Sequence, residues 1–425
     1  MSRVRPFRAL RYDPARVDLS RVLVPPYDVI GPEERAALYD RDPHSAIRLE
    51  LTRRVEDEAR TDYAEVRRTL DEWQRSGVLV REARPALYAL RQTFTARDGT
   101  RVTRDGFFGL LGLEDYERRV VRPHERTLAG PKADRLKLLR AARANLSSVF
   151  LLYEDREGAL RPPLAAALDG PALAEARDAN GTVQRLARIA DPEPLAAVRD
   201  FLAERPLVIA DGHHRYETAL AYRDERRAAG GGAHPDSPPE WILAYFANAF
   251  APGSLLLPIH RLIRKGAPPT EAAWRERLRG WSQERVPVSG AEAIPELLER
   301  HLAARAEGCA FAADDGSGVL RIFSRPRRVP GELSVRALHE EVVAGVFGLD
   351  EAAVREGAIG YAKSALEAAR ELRAGRGSVA LYLDPLAAAD VFRVTGAGEL
   401  LPQKSTFFTP KLPTGLVFRL LEPEP

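Results

Sequence analysis

Five consecutive residues, Asp211-Gly212-His213-His214-Arg215, combine groups suited to handling phosphate. The preceding run Leu207-Val208-Ile209-Ala210 reads as a short buried strand, and residues 214–229 have helical spacing. A strand that runs directly into a helix aims backbone N–H groups at whatever lies above it, and the helix dipole favours an anion there. Gly212 permits the tight geometry of the turn. Arg215 adds a planar donor fork that matches phosphate, and His213 and His214 add donors or transient acids. Asp211 can orient a histidine or hold a divalent metal through water. The competing reading is an N-cap aspartate followed by two surface histidines.

A second group, His124-Glu125-Arg126-Thr127 followed by Lys132, Asp134 and Arg135, falls in a loop ahead of a helix. A glutamate beside cations and a donor suits a general base acting on a hydroxyl. Its alternative is an exposed capping segment, with Thr127 or Asp134 as the cap. The third group spans residues 402–412 and offers Lys404, Ser405, Thr406 and Lys411 between prolines. Lys404-Ser405-Thr406 looks like the end of a phosphate loop, but the required Gly-x4-Gly spacing is absent and a Walker motif is excluded. A rigid loop presenting ammonium groups to a polyphosphate stays open beside an edge strand with flanking lysines. The lysines carry extra weight because the chain has only six, against 58 arginines. Where arginine is the habit, a lysine is more often needed for itself. Pro25-Pro26-Tyr27-Asp28 reads first as a stiff structural turn. The remaining histidines are scattered, and neither metal-ligand spacing nor a nucleophile-elbow or dinucleotide fingerprint occurs.

The elements that must position these groups follow from periodicity. A helix opens at Pro32-Glu33-Glu34, and residues 56–76 read as one longer amphipathic helix. Residues 86–95 and 101–113 form strands joined across Arg97-Asp98-Gly99. Helical spacing covers 135–145 and 195–204, and 149–153 is a short buried strand. The Gly/Pro-rich stretch 230–239 is a surface loop, followed by strands at 241–250 and 255–262. Helices are expected at 270–281 and 294–306, with strands at 318–323 and 379–383. A boundary near residue 265 separates this last region, either as a terminal domain or as an insertion. With 425 residues the chain calls for more than one core. A net charge of +3 leaves no basic face for nucleic acid. Cys309 stands alone, which excludes an internal disulfide and a Cys-based zinc cluster. No apolar signal core or run of about 18 apolar residues occurs, so a soluble cytoplasmic protein without a membrane partner is expected.

Residues 24–30, 124–127 with Asp134-Arg135, 211–215 and 402–412, in that order, resemble the bacterial and archaeal family called domain of unknown function 1015. The resemblance runs from about residue 7 to 420. A narrower similarity is to the ParB/sulfiredoxin-like fold, and within it to free-serine kinases. It rests on a His-Glu pair, a helix, and a strand ending in Asp-Gly-His-His-Arg. The resemblance implies an α/β (α+β) architecture: an N-terminal α/β region at 1–82, a ParB/sulfiredoxin-like phosphate-binding core at 83–265, and a C-terminal α/β region with a motif-bearing tail at 266–425. It implies a small-molecule kinase moving a phosphoryl group from ATP or ADP, with Mg²⁺, to a hydroxyl, most readily that of free L-serine. Glu125 is then the base, with His124 and Asp211 beside it. Gly212, His213, His214, Arg215, Lys404, Ser405, Thr406 and Lys411 hold the phosphates. Tyr27, Asp28, Thr127, Asp134 and Arg135 support the substrate, and the metal ligands are unassigned. The 86 positions between Glu125 and Asp211 exceed the spacing of compact relatives and imply an insertion that includes 160–190. The other reading is a nucleotide-binding (CTP or ATP) switch of the ParB-like type with little turnover.

Overall fold

The computed structural model describes residues 1–96, 99–127, 129–230, 234–305 and 307–423. The expected turn at Arg97-Asp98 and the glycines at 231 and 232 lie outside them. The chain forms two compact units, Met1–Leu255 with Pro410–Pro425, and Leu256–Thr409. The second unit is therefore inserted, in sequence, between two segments of the first. Mixed helices and sheets make the protein α/β.

The first unit is built on a nine-stranded mixed sheet. Its strands are β1 (Val4–Arg5), β2 (Leu87–Thr95), β3 (Arg101–Gly112), β4 (Val121–Arg122), β5 (Val149–Tyr153), β6 (Ala174–Arg177), β7 (Val183–Ile189), β8 (Leu207–Asp211) and β9 (Trp241–Asn248). The order is β4-β8-β5-β9-β3-β2-β7-β6, with β1 beside β3. β5, β8 and β9 are runs of apolar residues buried on both faces, as central strands require. β8 runs parallel to β4 and antiparallel to β5, while β5 and β9 are parallel. The helices are α1 (Pro32–Arg41), α2 (Ala64–Arg75), α3 (Ala129–Ala142), α4 (Arg161–Asp169), α5 (Pro192–Ala203) and α6 (His213–Ala228). Leu164 and Leu168 of α4, Val198 and Leu202 of α5, and Tyr216 and Ala219 of α6 join one core with Val149, Leu151, Ile209 and Phe246 of the sheet.

Two expectations change. Residues 56–76 are not one helix: Val55–Asp57 is a single tight turn, and α2 starts only after Tyr63, whose φ is +58°. Asp62 and Thr61 explain the restart, because their side chains accept from the backbone N–H groups of Ala64 and Tyr63 at 3.0 and 3.2 Å. The span 160–190 is not set apart from the core. It supplies α4, β6 and β7, and β7 pairs with β2 along its whole length.

The second unit carries a six-stranded antiparallel sheet of β10 (His260–Ile263), β11 (Ser282–Pro287), β12 (Cys309–Asp314), β13 (Val319–Arg325), β14 (Ile359–Ala362) and β15 (Val379–Tyr382), in the order β11-β13-β12-β15-β10-β14. One face packs Ile294, Leu298 and Ala368 against Leu320, Ile322 and Ala380. The other face carries the aromatic contacts Trp274–Phe323, Phe311–Phe323 and Trp281–Phe311. Among the described residues no helix is long and apolar enough to cross a membrane.

Candidate functional site

The junction of β8 and α6 is where the first unit concentrates its titratable groups. β8 ends in a register shift between Ile209 and Asp211 against β5. Gly212 then turns the chain at φ +91°, a left-handed conformation that side chains other than glycine's resist, and caps α6 without a side-chain bond. A Cβ at Gly212 would lie 2.9 Å from Arg215 Nε, because the arginine folds back over this turn. Glycine is thus needed twice, for the backbone and for the arginine.

Arg215 does not present its fork to solvent. One terminal nitrogen donates to the Ser148 carbonyl, and the other donates to Asp211 Oδ2 at 2.5 Å. Lys411, returning from far along the chain, donates to Asp211 Oδ1 at 2.5 Å. Burial pushes the Asp211 carboxyl up, but Lys411 and Arg215 outweigh it and hold it well below the usual carboxylate range. One buried anion therefore faces two cations at the N-terminus of α6, and Asp28 and Glu50 also act electrostatically on Arg215. Lys411 is itself anchored from the sheet: Arg104 Nη2 donates to the Pro410 carbonyl at 2.6 Å, and Gln92 Nε2 approaches the Lys411 carbonyl at 3.5 Å.

His213 is buried at the first position of α6. Its Nε2 accepts from the His124 backbone N–H at 3.4 Å, so its proton belongs on Nδ1, which lies 3.7 Å from Glu125 Oε1. Burial, with His124 adding to it, depresses the His213 pKa well below its ordinary value, and burial lowers that of half-exposed His214. Both shifts favour the neutral ring near pH 7. His124 is buried edge-on to His213, with ring centroids 4.7 Å apart, and its Nδ1 lies 2.6 Å from the Ile209 carbonyl. Glu125 is more open, with 23% of its side chain exposed.

The other candidates sort into two kinds. Thr127 and Lys132 both donate to Glu217 Oε2, at 2.7 and 2.8 Å, and so tie the loop before α3 and the first turn of α3 to α6. Glu217 lies four residues beyond His213, one turn along the same face of α6, a spacing that sequence reading passed over. Arg135 is a buried hub, bonded to the Glu50 carbonyl at 2.9 Å, to Asp134 at 2.6 Å and to Tyr63 at 3.3 Å. Tyr63 in turn donates to Asp134 Oδ1 at 2.8 Å. The Arg135 guanidinium lies 4.3 Å from the Tyr27 ring centre, and burial, countered by Arg215 and Arg135, raises the Tyr27 hydroxyl to about 12. Arg135 and Asp134 thus support the fold, with Tyr27 over them, while neighbouring Asp28 is exposed. Lys404, Ser405 and Thr406 belong to the second unit, where Lys404 has φ +56° and Ser405 donates to the Pro402 carbonyl. Of that motif, Pro410, Lys411 and Leu412 belong to the first. Sequence reading missed Arg104, Gln92, Ser148 and Glu50, which have no local signal. Among the described residues no group of three His, Cys, Asp or Glu side chains is placed to hold a metal.

Fold and site together define an α/β protein with a charged strand-to-helix junction. Residues 4–316 match the model of the family described as protein of unknown function DUF1015, and the chain belongs to that family. No curated protein matches it. Solved structures that align with it include free serine kinase in complex with AMP, at 12% identity, 68% of this chain, 84% of that one and a TM-score of 0.34. A conserved hypothetical protein from Pyrococcus furiosus aligns at 12% identity over 71% and 92%, with a TM-score of 0.34. SbnI with a C-terminal truncation from Staphylococcus aureus aligns at 11% over 74% and 87%, also with a TM-score of 0.34.

Proposed function

We propose that the first unit is a small-molecule kinase whose phosphate site is the junction of β8 and α6. The observation that carries this reading is the buried Asp211 carboxylate bridging Lys411 and Arg215 at a helix N-terminus. Phosphoryl transfer asks mainly for such positioning and charge stabilisation. In this reading the backbone N–H groups at the start of α6 and Lys411 receive the phosphates of ATP or ADP. Neutral His213 and His214 donate through their ring N–H groups. Glu125, beside His213 and partly open, takes the proton of the acceptor hydroxyl as that oxygen bonds to the terminal phosphorus. The bond from that phosphorus to its bridging oxygen breaks, releasing ADP from ATP or AMP from ADP. Mg²⁺ would arrive as the nucleotide complex and neutralise charge on the phosphates.

Free L-serine is the acceptor we propose, on the strength of the motif resemblance, giving O-phosphoserine. The test incubates the full chain with L-serine and either Mg-ATP or Mg-ADP, and measures phosphoserine and spent nucleotide by mass spectrometry. The two should rise together in a one-to-one ratio. Nucleotide consumed without phosphoserine removes serine as the acceptor. Tight nucleotide binding with no turnover for any hydroxyl acceptor replaces the kinase by a nucleotide-governed switch.

A further inference from the structure

The second unit buries three arginines on one face of its sheet, and two of them are neutralised. Arg321 pairs with Glu271 and Asp315, and Arg325 with Glu332 and Glu341. The third, Arg261 on the interior strand β10, is fully buried, yet no carboxylate among the described residues forms an ion pair with it. Its register partners Tyr361 and Leu381, and through Leu381 and Ala313 also Arg321, place it on the same face as the others. Its Nη1 donates to the Ile259 carbonyl and its Nε to His339 Nε2 at 3.3 Å, while Nη2 is buried without a hydrogen-bond partner. A guanidinium is permanently charged near neutrality and is costly to bury without an anion.

The neighbours of Arg261 do not supply one. His339 accepts from Nε through Nε2, so it is uncharged with its proton on Nδ1, and burial with Arg261 beside it drives its pKa to about 3. The Tyr361 ring centre lies 5.8 Å from the guanidinium carbon, and the ring offers a face, not a countercharge. Both residues are only partly buried, whereas Arg261 itself is fully buried. His339 sits in the π-helical turn Leu338–Ala344, an irregularity concentrated at functional sites.

We propose that Arg261, with His339 beside it, forms a second ligand site, in the inserted unit, for a compact oxyanion: a carboxylate or phosphate group accepting from Arg261 Nη2. The site is independent of the kinase reading, because none of its residues belongs to the first unit.

The test follows the imidazole ¹⁵N resonances of the full chain labelled at histidine, titrated separately with inorganic phosphate and with formate. A saturable shift of the His339 signals is expected with one of the two, which also identifies the class, and Arg261→Met should abolish it. Crystals of the wild-type chain soaked in sodium bromide should show an anomalous peak within hydrogen-bond reach of Nη2, a readout that stands even if the variant fails to fold. Shifts confined to His213 and His214 would report only the first unit and, with no bromide at Arg261, would overturn the proposal. So would a His339 shift that persists in Arg261→Met.

Discussion

Lys411→Met removes one of the two cations on Asp211 while keeping the length of the side chain. Both partners are mostly buried, at 20% and 14% exposure, so solvent screens their attraction little. Stripping a buried charge of its only partner costs about 3–5 kcal/mol. Arg215 stays bonded to Oδ2, so roughly half of that is expected here, about 2 kcal/mol. The two units are separate compact bodies, and a global unfolding curve would mix them. Amide hydrogen exchange of β8 reads the local effect, and about 2 kcal/mol corresponds to exchange about 30-fold faster. ADP affinity should fall by about 10- to 100-fold, the worth of one charged hydrogen bond, with Lys411→Arg restoring most of both. The sign with pH is fixed: the folded pKa of Asp211 is depressed, so its stabilisation is complete above the unfolded value near ~3.9 and is lost as pH falls. The gap between wild type and variant should be full at neutral pH and narrow in acid. Unchanged β8 exchange together with unchanged ADP affinity would refute the argument that Lys411 both neutralises Asp211 and serves the phosphate.

Three more outcomes follow from the same geometry. Glu125→Gln should keep ADP binding, measured by calorimetry, while turnover drops by about 10²–10⁴-fold, the usual worth of a general base; full activity would remove Glu125 from that role. Gly212→Ala should lose about 1–2 kcal/mol from the left-handed backbone alone and more from the displaced Arg215, visible as faster exchange at the start of α6 and weaker nucleotide binding. His213 is held neutral, so an unfolded chain binds the extra proton first, and the first unit should lose stability as pH drops through about 6.5. His213→Gln should flatten that slope in β8 exchange; an unaltered slope would assign it to other groups.

The junction of β8 and α6 was legible because its signals are local. Four apolar residues, an aspartate, a glycine and a helical run are read within a dozen positions. What Asp211 binds was not legible, since Lys411 lies 200 positions away and no periodicity reports such a pairing. Arg215 has partners that were equally hidden. Residue type suggests a fork for phosphate, and only the structure shows that its terminal nitrogens also donate to Ser148 and Asp211. Arg135 likewise reads as a site residue and is a buried strut, because Glu50 and Tyr63 reach it from the N-terminal segment. The helix expected over 56–76 failed for a local reason: short polar side chains at 61 and 62 compete for backbone donors and restart it.

The return of Pro410–Pro425 to the first unit has a consequence for the order in which the molecule is made. Emerging from the ribosome, Asp211 is exposed long before Lys411 is synthesised, and closing so large a loop from a flexible chain is entropically unfavourable. The intervening unit shortens the search. The strand Leu255–Leu257 at its start pairs with the strand Phe407–Thr409 at its end, so the two ends of the inserted segment meet in one two-stranded sheet. The inserted unit thus acts as a timer as well as a tether. Until it has folded and the last segment has followed, Asp211 holds only Arg215, and the nascent chain lacks the second cation of this junction.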